Sequence, residues 1–438
     1  MMRDDEISTG RAWYTVSILT LAYLFSFIDR QILSLMVGPI QRDLQLSDTQ
    51  FSLLHGLAFA VFYTFMGIPI ARLADARSRR LLMATGVAIW SLATALCGMA
   101  RSFAQLFLAR VAVGVGEAAL SPAAYSLLAD LFPRERLGRA IGVYSSGVFM
   151  GIGLSFVVGG VLVAGLEAAG GLTVPLLGTL KSWQATFLIV GSPGLLVALL
   201  ILTLREPSRP MVSRDASDTG QRAALLGWLR AHPGVYLAHF AGFAMLTLLF
   251  NAILAWAPEY FIRVHGIGRA DIGLQLGIIT AICGGLGIIA GGLFSDYLAT
   301  RGDLAAPMRA ALFAAILLTP VSLAALLIDN AALARWLFAP LLFLVSFPFG
   351  PAASALQLVT PAHIRAQISA VYLFVVNLTG IGFGPTAAAL LTDYVYRDPA
   401  KLHWSMATIT ALGSVLAILI LTLSLRPYAQ LHRKLSAA

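Results

Sequence analysis

Ala71-Arg-Leu-Ala-Asp-Ala-Arg-Ser-Arg-Arg80 is a charged stretch that follows an apolar run, and Gly292-Leu-Phe-Ser-Asp296 echoes its first half. The echo also follows an apolar run and leads to an arginine, Arg301. A second pair, Ser121-Pro122-Ala-Ala and Gly350-Pro351-Ala-Ala, recurs in the same order, each followed by another proline (Pro133, Pro361) and then an arginine. Two ordered echoes mean that the chain is built from two similar halves, an arrangement found in membrane transporters. Between them, from about Leu204 to Ala231, lies a segment rich in Arg, Ser, Asp and Gly. It reads as a linker at 205–232 that separates a first half, 1–204, from a second, 233–438.

Outward from these stretches the sequence is overwhelmingly apolar. Of 438 residues 58% are hydrophobic and 12% charged, with a mean hydropathy of +0.83. A soluble chain carries about 25% charged residues, and a disordered one lacks this much apolar side chain. An integral membrane protein is the class left. A helix needs roughly 20 apolar residues to cross the hydrocarbon layer. The apolar runs fall near 12–37, 51–73, 81–100, 103–131, 139–166, 183–204, 234–262, 271–297, 307–328, 335–358, 363–391 and 403–425. The expected fold is therefore all-α, with about 12 transmembrane helices in two pseudo-symmetric six-helix bundles. An outer-membrane barrel is excluded, because its strands alternate apolar and polar residues over about ten positions.

Orientation follows from the arginines, since cytoplasmic loops retain positive charge. Arg72, Arg77, Arg79, Arg80, Arg134, Arg136, Arg139 and most others fall on one side, leaving Arg42, Arg101, Lys181, Arg263, Arg269, Arg335, Arg397 and Lys401 on the other. Both termini are placed in the cytoplasm, and the short loops suit a bacterial inner membrane. The net charge of +9 is spread over every inner loop, so topology explains it and nucleic-acid binding does not. Cys97 and Cys283 lie within apolar runs and read as small packed residues. The acidic start at Asp4, Asp5 and Glu6 has no small-residue cleavage site, so the first run reads as a retained helix. The Asn377-Leu-Thr379 sequon lies inside a run and is discounted as a glycosylation site.

On these motifs the chain resembles the major facilitator superfamily along essentially its whole length. The loop pattern GxLxDxxGRR appears as residues 71–80, with Ala71 and Ser78 in place of two glycines, and Arg110-Val-Ala-Val-Gly114-Val-Gly116 matches a second pattern. Gly147, Gly151, Gly153, Gly159 and Gly160 resemble the antiporter motif without its proline. Within the superfamily the first half is similar to the spinster family of lipid transporters. The similarity rests on Phe27-Ile-Asp29-Arg30-Gln31, Trp90-Ser91, Gly114-Val-Gly116-Glu117-Ala118, Ser121-Pro122, Gly191-Ser-Pro193-Gly194 and Arg205-Glu206-Pro207; Gln184 stands where that family has Arg.

A charge at the bilayer centre costs about 2.5–3.5 kcal/mol on insertion scales, and four residues bear that cost: Asp29, Arg30, Arg110 and Glu117. Arg110 and Glu117 are seven apart and return to nearly one helix face. Arg30 shares its face with Tyr23, Ser26 and Ser34, whereas Asp29 lies with Ala22, Phe25 and Leu33 and is expected to anchor the arginine. Intramembrane ionisable groups are functional by default. Glu117, with Asp29, is thus the candidate for proton coupling, and Arg30, Arg110, Tyr23 and Ser34 are candidates for binding an anionic group. Asn251, Trp256, Tyr372 and Asn377 are the candidates to line a cavity in the second half. His55 and His239 read as packed residues, and Glu259 as either a gate or a solvated group.

The superfamily resemblance implies a conformational latch at Asp75, Arg79 and Arg80, with an Arg pairing Asp130 and with Asp296 and Arg301 as a weaker twin. The spinster resemblance implies a lysophospholipid or sphingoid-phosphate cargo moved by alternating access. A proton-coupled symporter of a small organic anion is the alternative, and a non-transporting receptor or lipid-modifying enzyme a further one. No GxxxxGK[ST] loop is present for ATP-driven transport, and no nucleophile motif or metal cluster appears. The expected partners are the bilayer and a small amphipathic or anionic substrate, with the proton in place of a cofactor and a single chain as the working unit.

Overall fold

The computed structural model describes residues 8–175, 178–207, 218–361 and 364–436. The side chains of Ile68, Ala71, Arg72, Asp75, Ala76, Arg134, Glu135 and residues 218–224 also lie outside the described set. The sequence expectation for Asp75 therefore lies outside the described residues, as does that for the middle of the linker.

Among the described residues, twelve helices are long and apolar enough to cross a membrane. They are α1 (Thr9–Leu35), α2 (Asp48–Gly67), α3 (Arg79–Cys97), α4 (Phe103–Leu131), α5 (Arg136–Ala168) and α6 (Ser182–Leu202), followed by α7 (Pro233–His265), α8 (Arg269–Thr300), α9 (Ala306–Leu327), α10 (Ala331–Leu358), α11 (Arg365–Tyr396) and α12 (Pro399–Ser436). The chain is a multi-pass membrane protein. Polar side chains start several of these helices by taking up an orphan N–H: Ser78 accepts from Leu81 N (3.3 Å), Ser102 from Gln105 N and Asn330 from Leu333 N. The last apolar run ends near 425, but the helix runs on to Ser436. Its continuation is held by packing rather than lipid, for Tyr428 is fully buried and donates to Ala355 O (2.7 Å), and His432 bonds Leu304 O (2.8 Å).

Two compact units are distinguished by their contacts. The first comprises the described part of Met1–Met211 with Ala257–Ile262 and Gly266–Ala281; the second comprises the described part of Val212–Trp256, Arg263–His265 and Ile282–Ala438. In the first unit α1 packs on α5, α3 on α6 and α4, α2 on α4, and the start of α8 on α5. Glycine permits two of these close crossings. A Cβ at Gly114 would sit 2.6 Å from Phe59 O, and one at Gly153 would sit 2.7 Å from Gly277 O. In the second unit α9 packs on α12 and α10, over a core that includes Tyr236, Phe243, Met308, Leu356, Ile368, Tyr372 and Tyr428. The linker helix Asp218–Ala231 lays Leu225, Trp228 and Leu229 against that core.

The helices are not uniform. A 3₁₀ turn at Ile32–Leu35 tightens the end of α1, and π turns occur at Leu53–Leu57, Thr280–Gly284, Leu378–Phe383 and Leu391–Tyr396. π turns inside α-helices are rare and gather at functional sites. One feature adds to the expected all-helical fold, an antiparallel hairpin of β1 (Leu172–Val174) and β2 (Gly178–Leu180) in register Leu172↔Leu180. Its Leu172, Val174 and Leu180 pack with Leu166 and Ala185 at the ends of α5 and α6.

Candidate functional site

Ser26 and Arg30 stand four apart on α1 and so share a face. Both reach one carboxylate oxygen on α4: Glu117 Oε2 accepts from Ser26 Oγ at 2.7 Å and from Arg30 Nη2 at 2.5 Å. Glu117 is 2% exposed and the Arg30 side chain 11%. Three rings surround the guanidinium, with centroids 4.7 Å (Phe27), 4.3 Å (Phe59) and 5.2 Å (Tyr63) from Arg30 Cζ. Such rings stabilise a desolvated cation through their negative faces. Glu117 Oε1 and Arg30 Nε have no partner among the described residues.

Arg110 shares the Glu117 helix but does not bond to that carboxylate. It is fully buried, and its Nε donates to Leu54 O at 3.4 Å, a carbonyl of the π turn in α2, with Phe59 stacked at 5.7 Å. Both Nη atoms are without a partner among the described residues. Asp29, expected to anchor Arg30, instead accepts from Thr94 on α3 at 3.3 Å and is 2% exposed. The reason is angular: neighbouring residues on a helix point 100° apart, so Asp29 meets α3 while Arg30 meets α4.

The helical face that placed Ser34 with Arg30 ends where α1 tightens to 3₁₀ geometry. Ser34 is fully buried, takes a bond from Gln31 Nε2 (2.8 Å) and bonds His55 Nε2 (3.1 Å). Tyr23 stacks on Tyr144 of α5 with centroids 4.5 Å apart and planes 9° apart.

The second-unit candidates divide. Trp256 is 1% exposed and donates to Pro385 O at 2.8 Å, so it packs between helices rather than lining an opening. Tyr372 is 8% exposed in a ring cluster with His239, Phe240 and Phe243. Asn251 donates to Thr247 O (2.9 Å) on its own helix; Asn251 and Asn377 keep partial exposure. Glu259 is buried rather than solvated.

The second charged centre sits at the N-terminus of α3. Arg79 is fully buried; its Nη1 donates to Asp130 Oδ2 (2.5 Å) and Ser126 Oγ (3.2 Å), and its Nε to Glu206 Oε1 (2.9 Å). Glu206 also takes the backbone N–H of Arg79 (3.0 Å) and the hydroxyl of Ser78 (2.7 Å), as suits an anion at a helix N-terminus. Arg80 Nη1 donates to Leu204 O (3.2 Å) just beyond the end of α6. Arg79, Arg80 and Asp130 thus tie α3 to α4 and to the end of α6 inside the first unit. Partial burial works to raise the Glu206 carboxyl, but the bonds from Ser78 and Arg79 outweigh it and hold it below the usual carboxylate range. Glu206 entered the sequence analysis only as part of Arg205-Glu206-Pro207, with no role of its own. Its signal was an acid just past the sixth apolar run, facing the arginines after the second. Asp296 is exposed, and Arg301 stacks on Tyr297 at 4.6 Å.

On the opposite ends of the helices, Arg42 (3.1 Å) and Arg269 both bond Glu167, and Lys181 and Trp183 both bond Asp43. Three cations and one indole N–H are thereby gathered on two acids. Cys97 and Cys283 are free thiols, and among the described residues no group of three or more His, Cys, Asp or Glu could hold a metal.

Twelve apolar helices among the described residues, with buried and mutually bonded charges, are features of a membrane transport protein. The family model of the Major Facilitator Superfamily matches residues 19–385, and the chain belongs to that superfamily as a secondary transporter. An MFS-type efflux pump of Mycolicibacterium smegmatis is 28% identical over 429 residues, 96% of this chain and 92% of that protein. A hexuronate transporter of Bacillus subtilis is 27% identical over 291 residues, 64% of each chain. A crystal structure of a bacterial homologue of the human lysosomal transporter spinster, inward-facing and occupied, superposes with a TM-score of 0.77 at 27% identity over 98% of both chains.

Proposed function

We propose that the protein is a proton-coupled transporter of an amphipathic anion, a lysophospholipid or sphingoid phosphate, working by alternating access from a membrane with both termini in the cytoplasm. The buried Arg30–Glu117 pair carries this reading. While Glu117 is ionised it satisfies the guanidinium. When it takes a proton the ion pair weakens, and Arg30 is free to bind a phosphate or carboxylate. Proton and anion thus change each other's binding by the same factor, as linkage requires. Asp29 and Arg110, each with an unpartnered polar atom beside this pair's helices, supply further bonds for a proton or the anion. The block made by Arg79, Arg80, Asp130 and Glu206 keeps the inner ends of α3, α4 and α6 together while the unit moves, with Asp75 assigned to the latch.

The similarity to a bacterial spinster homologue supports a lipid cargo; the hexuronate transporter supports the second reading, symport of a small organic anion by the same arginine. Liposomes with an interior pH dye and an imposed proton gradient separate them. Lysophospholipid-triggered proton flux that disappears in Glu117→Gln is the expected result. Flux triggered only by small acids favours the second reading, and cargo uptake without proton movement overturns the coupling.

A further inference from the structure

One tyrosine from each of α1, α2, α4 and α5 belongs to a ring set on one side of the first unit, and Tyr63 of that set lies against Arg30. Tyr63 lies against the guanidinium and stacks on Phe59 (5.1 Å, 20°). Tyr23 is two turns before Arg30 on the same face of α1, about 10 Å along the axis, and stacks on Tyr144. Tyr125 meets the edge of Tyr144 at 5.3 Å, and the Tyr144 hydroxyl lies 3.3 Å from Ser121 Oγ. α3 and α6 supply no tyrosine, so the ring set belongs to one side of the unit. Tyr144 is fully buried, Tyr23 and Tyr63 are partly exposed, and Tyr125 is 39% exposed.

An acyl chain asks only for apolar side chains, and phenylalanine would supply the same rings without a hydroxyl to satisfy at membrane depth, where an unpaired polar group costs several kcal/mol. Tyrosine offers an apolar face and a hydrogen-bonding edge together. A row of such edges leading away from a fixed cation suits a ligand that carries hydroxyl groups next to its negative charge. We propose that this tyrosine wall, Tyr23, Tyr63, Tyr125 and Tyr144 with Ser121, reads the hydroxyls of an anionic polyol headgroup bound at Arg30. The proposal rests on the transport reading and narrows its substrate to hydroxylated anions, whether the headgroup of a lysolipid or a free sugar acid. Sites built to hydrogen-bond a substrate hydroxyl reject the analogue that lacks it.

Binding to the purified full-length protein in nanodiscs tests this with matched pairs. Lysophosphatidylglycerol is compared with lysophosphatidylethanol, of equal charge and tail but without the two hydroxyls of the headgroup. Glucuronate is compared with cyclohexanecarboxylate, and the two pairs separate the lipid source from the free acid. The hydroxylated member of at least one pair should bind roughly tenfold tighter, the effect of one to two hydrogen bonds. Tyr63→Phe/Tyr125→Phe keeps both rings and removes both hydroxyls, so it should erase that preference, bringing the two members of the pair to equal affinity. Equal affinities in the wild type, or a preference that survives in the double variant, overturns the tyrosine assignment and leaves the transport reading standing. Absence of binding by all four anions overturns both.

Discussion

The two units are built from the same pattern of spans yet bury opposite chemistry. Every Asp, Glu or Arg buried among the described residues, namely Asp29, Asp48, Arg79, Arg110, Glu117 and Glu259, belongs to the first. Among its described residues the second buries none and fills its core with aliphatic and aromatic side chains, with His239 the only buried charge-capable group there apart from tyrosines. The helices of the second unit therefore pack without a buried Asp, Glu or Arg, and burying a charge is costly unless it is paired. The charges around Glu117 thus ask for a reason other than helix packing. This contrast is broken most directly at Glu117. Glu117→Gln keeps the side-chain volume and an oxygen for Ser26 and Arg30 but cannot cycle a proton, so gradient-driven uptake should fall to the level of empty liposomes. Uptake at the wild-type rate would make the pair structural after all.

A smaller effect is expected where the charges do hold helices together. Arg79→Ala leaves Asp130 and Glu206 facing each other without their shared cation. Breaking a buried pair costs about 3–5 kcal/mol; with the Asp130 and Glu206 side chains 38% and 21% exposed, solvent reduces this. The loss should be about 2 kcal/mol, read from denaturant or thermal unfolding. Arg301→Ala, the arginine that follows the echoed stretch in the second unit, removes an exposed ring contact and should cost under about 0.5 kcal/mol. Equal losses would erase the asymmetry between the units.

How far the sequence reveals this asymmetry depends on what kind of interaction is being read. Spans were legible because transfer of about 20 apolar residues is a one-dimensional property. The four buried charges were legible for the same reason. Their pairing was not: seven-residue spacing puts Arg110 and Glu117 on nearly one helix face but names no partner, and Arg30 from α1 holds Glu117. Asp29 turned to Thr94. Periodicity fixes which way a residue points on its own helix, while the partner depends on how α1, α3 and α4 cross. Ser34 escaped because the 3₁₀ turn breaks the very period used to place it. Trp256 escaped because its amphipathic ring suits a cavity wall and a packed interface alike. Glu206 lies far from Arg79 in sequence and became visible only through the helix N-terminus it caps.

The buried imidazole of the second unit sharpens the comparison in the other direction. His239 is 1% exposed, its two ring nitrogens have no partner among the described residues, and Phe243 and Tyr372 lie 4.6 and 5.0 Å away. An unsatisfied buried polar group costs about 1–3 kcal/mol. His239→Phe should therefore stabilise the protein by about 1 kcal/mol, part of the gain being lost to the larger ring, and should leave proton-coupled uptake intact. Destabilisation together with lost uptake would move a functional polar group into the unit now described as apolar.

The mildest expected effect is the pH dependence carried by Glu206. Its carboxyl is held below the ordinary glutamate value near 4.3. A group whose folded pKa is depressed contributes stability that is complete above the unfolded value and lost as pH falls through the folded one. The thermal midpoint should thus be insensitive to Glu206 at pH 6–7 and decline below roughly pH 4.3. In Glu206→Gln that acid decline should be shallower, because Gln keeps an acceptor for Ser78 and Arg79 without a proton to gain. The second unit, with no buried carboxylate among its described residues, should contribute little to the same slope. An unchanged slope in Glu206→Gln would remove Glu206 as the source of the acid sensitivity, and with it this difference between the two units.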